Sequence, residues 1–530
     1  MSRKPDSFVE LERATPATAA RAASRAAPAA AAARRHVALV VCHGMGQQVP
    51  FETIDALARM LRRAHLAVAR DARAPEVTAR VVDLGIGKPV GRAELTLSDA
   101  RGGEVRVHVY EAYWAPLTAG KVSLRQVIAF LLDAGLGGLA AARHTFLRWM
   151  FGGWQEFARS YRAFAELAVA ILFVLSLVLA NATIVAVAAS RGIGHASAQW
   201  PSAKLVGVIT ADFVLVLALW GLAGLALGFA YACHQSIDEN RVGWDRDAWP
   251  VRTLVLVTNV CVWLAIVGTI VIAGLLGLDL CRDAFGAPLA WEGLCARGGA
   301  ICALTALPGP ALLAVWALVL LASARIRTFL VEFPGDVVAY VNAHAVSEFS
   351  ELRTAIQRVA HDIAAAVYAL RSEDGSAAMY SRVVLAGHSL GSVLAYDTLN
   401  RLLLEEAWHP GSEVRARTSA LITFGSPLDK TAFVFRSQKP FAAEVREALA
   451  AGLQPLIADN LYRGTLTWRN FWSRADWLSG SLAYYDPNPP VAAWQVQNVR
   501  DDYASIPLLA HVMYWRSPQL ARALHDAVTA

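Results

Sequence analysis

The sequence predicts an α/β domain with a mostly parallel sheet, interrupted by an insertion of four transmembrane helices. Three features predict it. A Gly-His-Ser-Leu-Gly turn (Gly387–Gly391) lies between an apolar strand and an apolar helix; an earlier buried strand ends in His43-Gly44-Met45-Gly46; and four long runs almost without charge lie between them. With 56% hydrophobic and 17% charged residues, the 530-residue chain is more apolar than a soluble protein needs to be, so part of it is expected in a bilayer. The formal charge of +6 is mild and no basic and aromatic stripe occurs, so nucleic acid is not a predicted partner. The six cysteines, Cys42, Cys233, Cys261, Cys281, Cys295 and Cys302, form no C-x-x-C pair, so no metal site is predicted.

Residues 1–35 are rich in Ala, Arg, Ser and Pro and lack the apolar stretch of a secretory signal, which predicts a disordered or weakly helical tail. Residues 36–116 form the N-terminal part of the α/β domain. "HVALVVC" reads as a buried strand, the stretch after the glycines as an amphipathic helix, and Glu104–Trp114 as an alternating strand. Residues 117–330 form the membrane insertion, with spans at Leu167–Ala189, Phe213–Ala232, Leu254–Leu278 and Ile301–Ala322, each near the ~20 residues a bilayer requires. Gly224 and Gly228 in the second span have the G-x-x-x-G spacing of close helix packing. The shorter Val127–Ala142 carries Asp133 and is predicted to lie in the interface. Residues 146–164 mix Trp, Phe and Arg, as a segment at an anionic interface or a plain juxtamembrane helix would. The spans lack the several buried charges of a transporter; Asp212 lies near an end.

Strands before and after the insertion share one sheet only if the number of crossings is even, as four is. The segments on the sheet side carry Arg143, Arg148, Arg159, Arg162, Arg241, Arg246, Arg252, Arg325 and Arg327; the opposite loops carry only Arg191, Lys204, Arg282 and Arg297. The positive-inside rule therefore predicts a cytoplasmic α/β domain on a multi-pass protein, with the bacterial inner membrane as the expected location. A Cys281–Cys295 disulfide is permitted in the opposite loop.

Residues 331–530 complete the α/β domain. In Gly-x-Ser-x-Gly, Gly387 and Gly391 let strand and helix approach closely, and Ser389 is held at the tip as a candidate nucleophile. A serine hydroxyl needs a base oriented by an acid, and in such folds the chain order is Ser, acid, His. His511 in "SIPLLAHVMYW" follows a strand-like "AWQVQNV" and is the candidate base; His409 comes too early and His525 falls in a C-terminal surface helix. Asp476 follows the strand Thr465–Trp472 and is the candidate acid, with Asp429 after "LITFGSPL" as the alternative. Oxyanion donors are expected at the N–H of Leu390 and at Met45 or Gly46 in the early glycine turn.

These segments, "VVCHGMGQQ", "VVLAGHSLGSVLAYD", "ITFGSPL", "WRNFWSRAD" and "AHVMYW", occur in an order that resembles the α/β-hydrolase superfamily, over 36–116 and 331–530. "GHSLGSVLAYD" with "FGSPL" is similar to intracellular phospholipase A1-type serine lipases. The resemblance implies an α/β-hydrolase fold and hydrolysis of acyl esters through an acyl-enzyme, without metal or organic cofactor. The expected substrate is a membrane lipid or another acyl ester. A thioesterase or acyltransferase with the same triad, or a non-catalytic membrane protein with a hydrolase-like domain, are the alternatives. The four-helix insertion departs from the family pattern.

Overall fold

The fold is described from a computed structural model. It describes residues 35–46, 48–68, 75–99, 103–123, 146–157, 171–180, 203–239, 247–290, 347–372, 375–431, 444–458, 465–488 and 495–530, with isolated positions between them. Contacts divide the chain into two units. One draws on Met1–Val122, Leu136–Ser160 and Gly335–Ala530, the other on Ser123–Gly135 and Tyr161–Pro334.

Along the chain the described elements are β1 (Arg35–Cys42), α1 (Glu52–Val68), β2 (Val77–Asp83), β3 (Pro89–Ser98), β4 (Glu104–Ala112), β5 (Phe146–Met150) and β6 (Gly153–Phe157). Two long helices follow, α2 (Ala203–Glu239) and α3 (Trp249–Ala284). Then come α4 (Ser347–Ala369), β7 (Arg382–His388), α5 (Leu390–Trp408), β8 (Thr418–Phe424), α6 (Glu444–Gly452), β9 (Thr467–Trp472), β10 (Gln497–Arg500) and α7 (Pro518–Thr529).

The first unit is built on an eight-stranded sheet in the order β10-β9-β8-β7-β1-β4-β3-β2. The six strands from β10 to β4 run parallel, and β3 is antiparallel to both neighbours. The central strands β1 and β7 are continuous apolar runs because both faces are covered: six of their residues each are buried in succession. β2, at the edge, is exposed along almost its whole length. The β2–β3 hairpin, with Gly85 and Gly87 at φ +74°, has no counterpart among the sequence expectations. It separates α1 from β4 in sequence yet sits outside β4 in the sheet.

α1 turns Ile54, Leu57, Ala58 and Leu61 inward and carries Glu52 and Asp55 in its first turn, where the helix dipole favours acids. α7 begins at Pro518 behind Ser517, whose side chain accepts the Leu520 N–H at 3.2 Å. His525, expected on the surface of this helix, is buried with its Nε2 3.3 Å from His65 Nδ1 of α1.

Residues 146–157 are not a juxtamembrane helix. They form the β5–β6 hairpin, paired from Phe146–Phe157 to Met150–Gly153. Its loop is Phe151-Gly152, both at positive φ (52° and 77°), the combination that suits strand twist in a two-residue turn. The hairpin belongs to the sheet unit: Phe151 N–H donates to Ile457 O at 2.7 Å, and the Arg148 guanidinium lies 5.0 Å over the rings of Tyr484 and Tyr485. The insertion expected over 117–330 is thus interrupted by a segment that packs with the sheet.

In the second unit, among the described residues, two helices are long and apolar enough to cross a membrane: Leu205–Ile237, with mean hydropathy 2.3, and Trp249–Ala284, with 2.5. They contain the second and third expected spans. Residues 171–180 of the first span are helical, and most of the rest of it, nearly all of the fourth span and nearly all of Val127–Ala142 lie outside the described residues, as does Cys295. α2 and α3 pack through Leu219 against Gly268, and Trp220 Nε1 donates to Thr269 Oγ1 at 3.1 Å. A Cβ at Gly224 or Gly228 would meet nothing within 4 Å, so the expected G-x-x-x-G contact is not where these helices meet. Asp212 is buried rather than terminal, and Asp279 is buried too. Asp279 Oδ1 accepts the Ala290 N–H, while Asp279 Oδ2 and both oxygens of Asp212 have no hydrogen-bond partner among the described residues.

Candidate active site

The site grows out of strand register. Cys42 at the end of β1 pairs with Gly387 near the end of β7, so the loops leaving both strands emerge side by side. β8 extends the same edge: His388 pairs with Phe424, and the Ser389 N–H donates to Phe424 O at 3.0 Å. β9 lies beyond β8, and the loop after its carboxyl end carries Asp476. Carboxyl ends of neighbouring parallel strands are where α/β sheets place ligands.

Ser389 stands at φ 54°, ψ −129°, a conformation a side chain adopts only under strain. The sharp turn is feasible because its flanks are glycines. A Cβ at Gly387 would overlap the Gly391 carbonyl and Ser392 Cα, and one at Gly391 would overlap the carbonyl oxygens of Cys42 and His43. Ser392 Oγ, 2.6 Å from Ser426 Oγ, donates to the Ser389 carbonyl and braces the turn from below.

His511 sits in the helical turn Ala510–Met513, and its Nε2 is 2.8 Å from Ser389 Oγ. Its Nδ1 is 3.0 Å from Asp476 Oδ2. Asp476 Oδ1 accepts the Leu478 N–H at 3.0 Å. Burial raises the Asp476 carboxyl, but the His511 charge and hydrogen bond, with the Leu478 N–H and Ser479, outweigh it and leave it below its ordinary value. Asp476 is therefore a carboxylate at neutral pH, an acceptor for an N–H at His511 Nδ1, and Nε2 faces the serine hydroxyl. Tyr514, whose hydroxyl lies 3.0 Å from Ser479 Oγ, closes the far side of the acid loop.

Asp429, the alternative acid, is not brought to His511. Its carboxylate pairs with Lys430 Nζ at 3.2 Å and lies against Gly480, where a Cβ would overlap it. Burial raises its pKa, with Lys430 opposing. Asp501, also buried, accepts the N–H groups of Tyr503 and Ala504 and shapes the loop ahead of His511.

On the other side of Ser389 lies the glycine turn. A Cβ at Gly44 would come within 3.0 Å of Ser389 Cβ and of His388 Nδ1, so only glycine lets this loop lie on the nucleophile. Gly46 is at φ +89°, and Met45 between them is buried. Leu390 opens α5, in the first turn where helix N–H groups have no intrahelical acceptor. The expected oxyanion donors, Leu390 and Met45 or Gly46, thus flank Ser389 on adjoining loops.

The turn is held by contacts that the sequence does not reveal. His43 stacks on Trp114 at 4.8 Å, accepts the Trp114 N–H on Nε2 at 3.0 Å, and directs Nδ1–H to the Gly44 carbonyl at 2.8 Å. Tyr113 donates to Gln48 O at 2.8 Å, and Glu111 accepts the Phe51 N–H at 3.1 Å. The aromatic end of "EVRVHVYEAYW" was visible as a strand terminus, but its partner across β1 was not. Among the described residues, no three His, Cys, Asp or Glu side chains gather as metal ligands.

Burial lowers His43 to about 4 and His388 to about 3. Both rings are neutral in the folded chain, whereas the unfolded chain protonates them near the ordinary 6.5. Because the folded values lie below the unfolded ones, the unfolded state takes up protons first as pH falls. Stability is then full above about pH 6.5 and is lost progressively toward pH 4, on the order of 3 kcal/mol for His43 alone. The melting temperature of the purified chain in detergent should fall steadily from pH 6.5 to 4.5; a flat profile would contradict this burial.

No family model, curated protein or solved structure matches the chain. The geometry of its own residues is what bears on function.

Proposed function

We propose that this chain is a membrane-anchored serine hydrolase of the α/β-hydrolase type that cleaves acyl esters, with a lipid as substrate. The observation that carries the proposal is the line from Ser389 Oγ to His511 Nε2 at 2.8 Å and from His511 Nδ1 to Asp476 Oδ2 at 3.0 Å. Three residues separated by up to 122 positions in sequence meet in the geometry of nucleophile, base and orienting acid. The glycine turn on the nucleophile and the start of α5 add donors where an oxyanion would form.

In this mechanism Ser389 Oγ attacks the acyl carbonyl carbon while its proton passes to His511 Nε2. The oxyanion is held by N–H groups of Leu390 and of Met45 or Gly46. The bond to the alcohol oxygen breaks as His511 returns the proton to it, leaving an acyl-serine. Water attacks this ester with His511 again as base, and the collapse frees the carboxylic acid and Ser389. Asp476 stays ionised and stabilises the imidazolium formed in each half-reaction.

The lipid substrate is supported by covalent linkage: the same chain carries helices long and apolar enough to cross a membrane. A multi-pass anchor of four helices with the sheet unit on the cytoplasmic side is the topology we propose, on the even crossing number and the arginine distribution.

The purified full chain in detergent should hydrolyse p-nitrophenyl acyl esters and phospholipid in mixed micelles. Ser389→Ala should lower the rate by about 10³-fold or more. Equal rates for the two proteins would exclude Ser389 as nucleophile and overturn the proposal.

A further inference from the structure

His388, the residue before the candidate nucleophile, is tied to the base rather than to the serine it precedes. Its Nε2 lies 2.8 Å from the main-chain carbonyl oxygen of His511. A carbonyl only accepts, so Nε2 carries the hydrogen and the ring is the Nε2–H tautomer. The ring is stacked on Phe424 at 5.1 Å, edge-on to Trp515 at 5.2 Å, and 4.9 Å from the His511 ring itself. The opposite nitrogen, Nδ1, faces Gly44, where a Cβ would approach to 3.0 Å. His388 is therefore wedged between the oxyanion turn and the loop that carries the base.

That loop needs such a clamp. His511 is in a four-residue helical turn, three positions after Leu508 at φ 63°, and such a turn gives its own backbone little cooperative support. The register of β7 fixes His388: it pairs with Phe424 of β8, and Gly387 just before it pairs with Cys42 of β1. A hydrogen bond from this rigid point to the His511 carbonyl sets the height of the imidazole over Ser389 Oγ.

We infer that His388 is a positioning residue for the triad: its Nε2–H donates to the His511 carbonyl and holds the base within reach of the nucleophile. The inference rests on the serine hydrolase proposal and deepens it. The clamp is a neutral ring, so it adds no positive charge beside His511 when that residue takes the serine proton. A cationic side chain at 388 would oppose the imidazolium at a ring separation of 4.9 Å.

The test is the second-order rate of fluorophosphonate labelling at Ser389, measured from pH 5.5 to 9 on the full chain in detergent. Wild type is compared with His388→Gln, which keeps an N–H donor, and His388→Phe, which keeps aromatic volume without one. His388→Phe should label about tenfold to a hundredfold more slowly, the scale of effect that a small misplacement of a reacting group produces. His388→Gln should recover most of that loss. In a His511→Ala background, His388→Phe should have no further effect, since the residue acts through the base. Unchanged labelling in His388→Phe would overturn the inference. So would an equal loss in His388→Gln, or an undiminished loss in the His511→Ala background, because either marks a role in packing alone. Melting temperatures of the variants separate misfolding from misplacement. Failure of the wild type itself to label would instead count against the hydrolase proposal, so the two failures are distinguishable.

Discussion

Asp476→Asn is expected to lower ester turnover by about 10⁴-fold while leaving the fold intact. The carboxylate is the acceptor at His511 Nδ1 among the described residues, 3.0 Å away, and it is held by the Leu478 N–H on its other oxygen. An amide of the same shape can present its NH₂ to Nδ1, which drives the proton to Nε2 and removes the lone pair that Ser389 needs. Nor can the amide stabilise the imidazolium. Asp429→Asn is the matched control, because that carboxylate serves Lys430 and stands apart from the base. Its turnover should stay within about threefold of wild type. The comparison reads directly as kcat for the two variants on a p-nitrophenyl ester. A large loss at Asp429 with little at Asp476 would reassign the acid.

Gly391→Ala is expected to prevent the sheet unit from folding normally. The added Cβ would overlap the carbonyl oxygens of Cys42 and His43, which belong to the end of the central strand β1 and the turn after it. Backbone in the middle of a parallel sheet cannot shift without breaking the β1–β7 and β1–β4 ladders on either side. The cost should exceed about 4 kcal/mol, in the range where single substitutions unfold domains. The readouts are recovery of folded protein after detergent extraction and the melting temperature of what is recovered. A variant as stable as wild type would show that the elbow does not pack as closely as described.

The part of the site carried by local pattern is legible in the sequence alone. Strand, glycine, serine, glycine and apolar helix are contiguous, and chain order confined the base to residues after Ser389, where His511 had few rivals. The choice between Asp476 and Asp429 was open, since each follows a strand. Strand order is what brings Asp476 to His511: β8 sits next to β7 and β9 beyond it, and the loop after β9 reaches the imidazole. No sequence spacing encodes that.

What was illegible depended on contacts distant in sequence. His43 and Trp114 are 71 positions apart, and their mutual hydrogen bonds form only because β1 and β4 are parallel neighbours. The contact of His388 with the His511 carbonyl joins residues 123 positions apart. The β5–β6 hairpin was hidden by composition: its Trp, Phe and Arg resemble an interfacial segment, whereas the Phe151-Gly152 turn and the stacking of Arg148 on Tyr484 and Tyr485 fix it to the sheet unit. In the second unit, hydropathy locates α2 and α3 but falls short of their ends, since the helices continue through polar residues such as His234–Glu239. It carried no information on rotation about the axis, which turns Gly268 rather than Gly224 toward the partner helix and buries Asp212 near Asp279.

The central claim is that Ser389 is an activated nucleophile, and covalent capture tests it most directly. The full chain in detergent is treated with a fluorophosphonate, digested, and the adduct located by mass spectrometry. The account predicts one stoichiometric phosphonyl adduct on Ser389, absent in Ser389→Ala and strongly slowed in His511→Ala. A folded wild-type chain that forms no adduct, or forms it at another serine, would contradict the account.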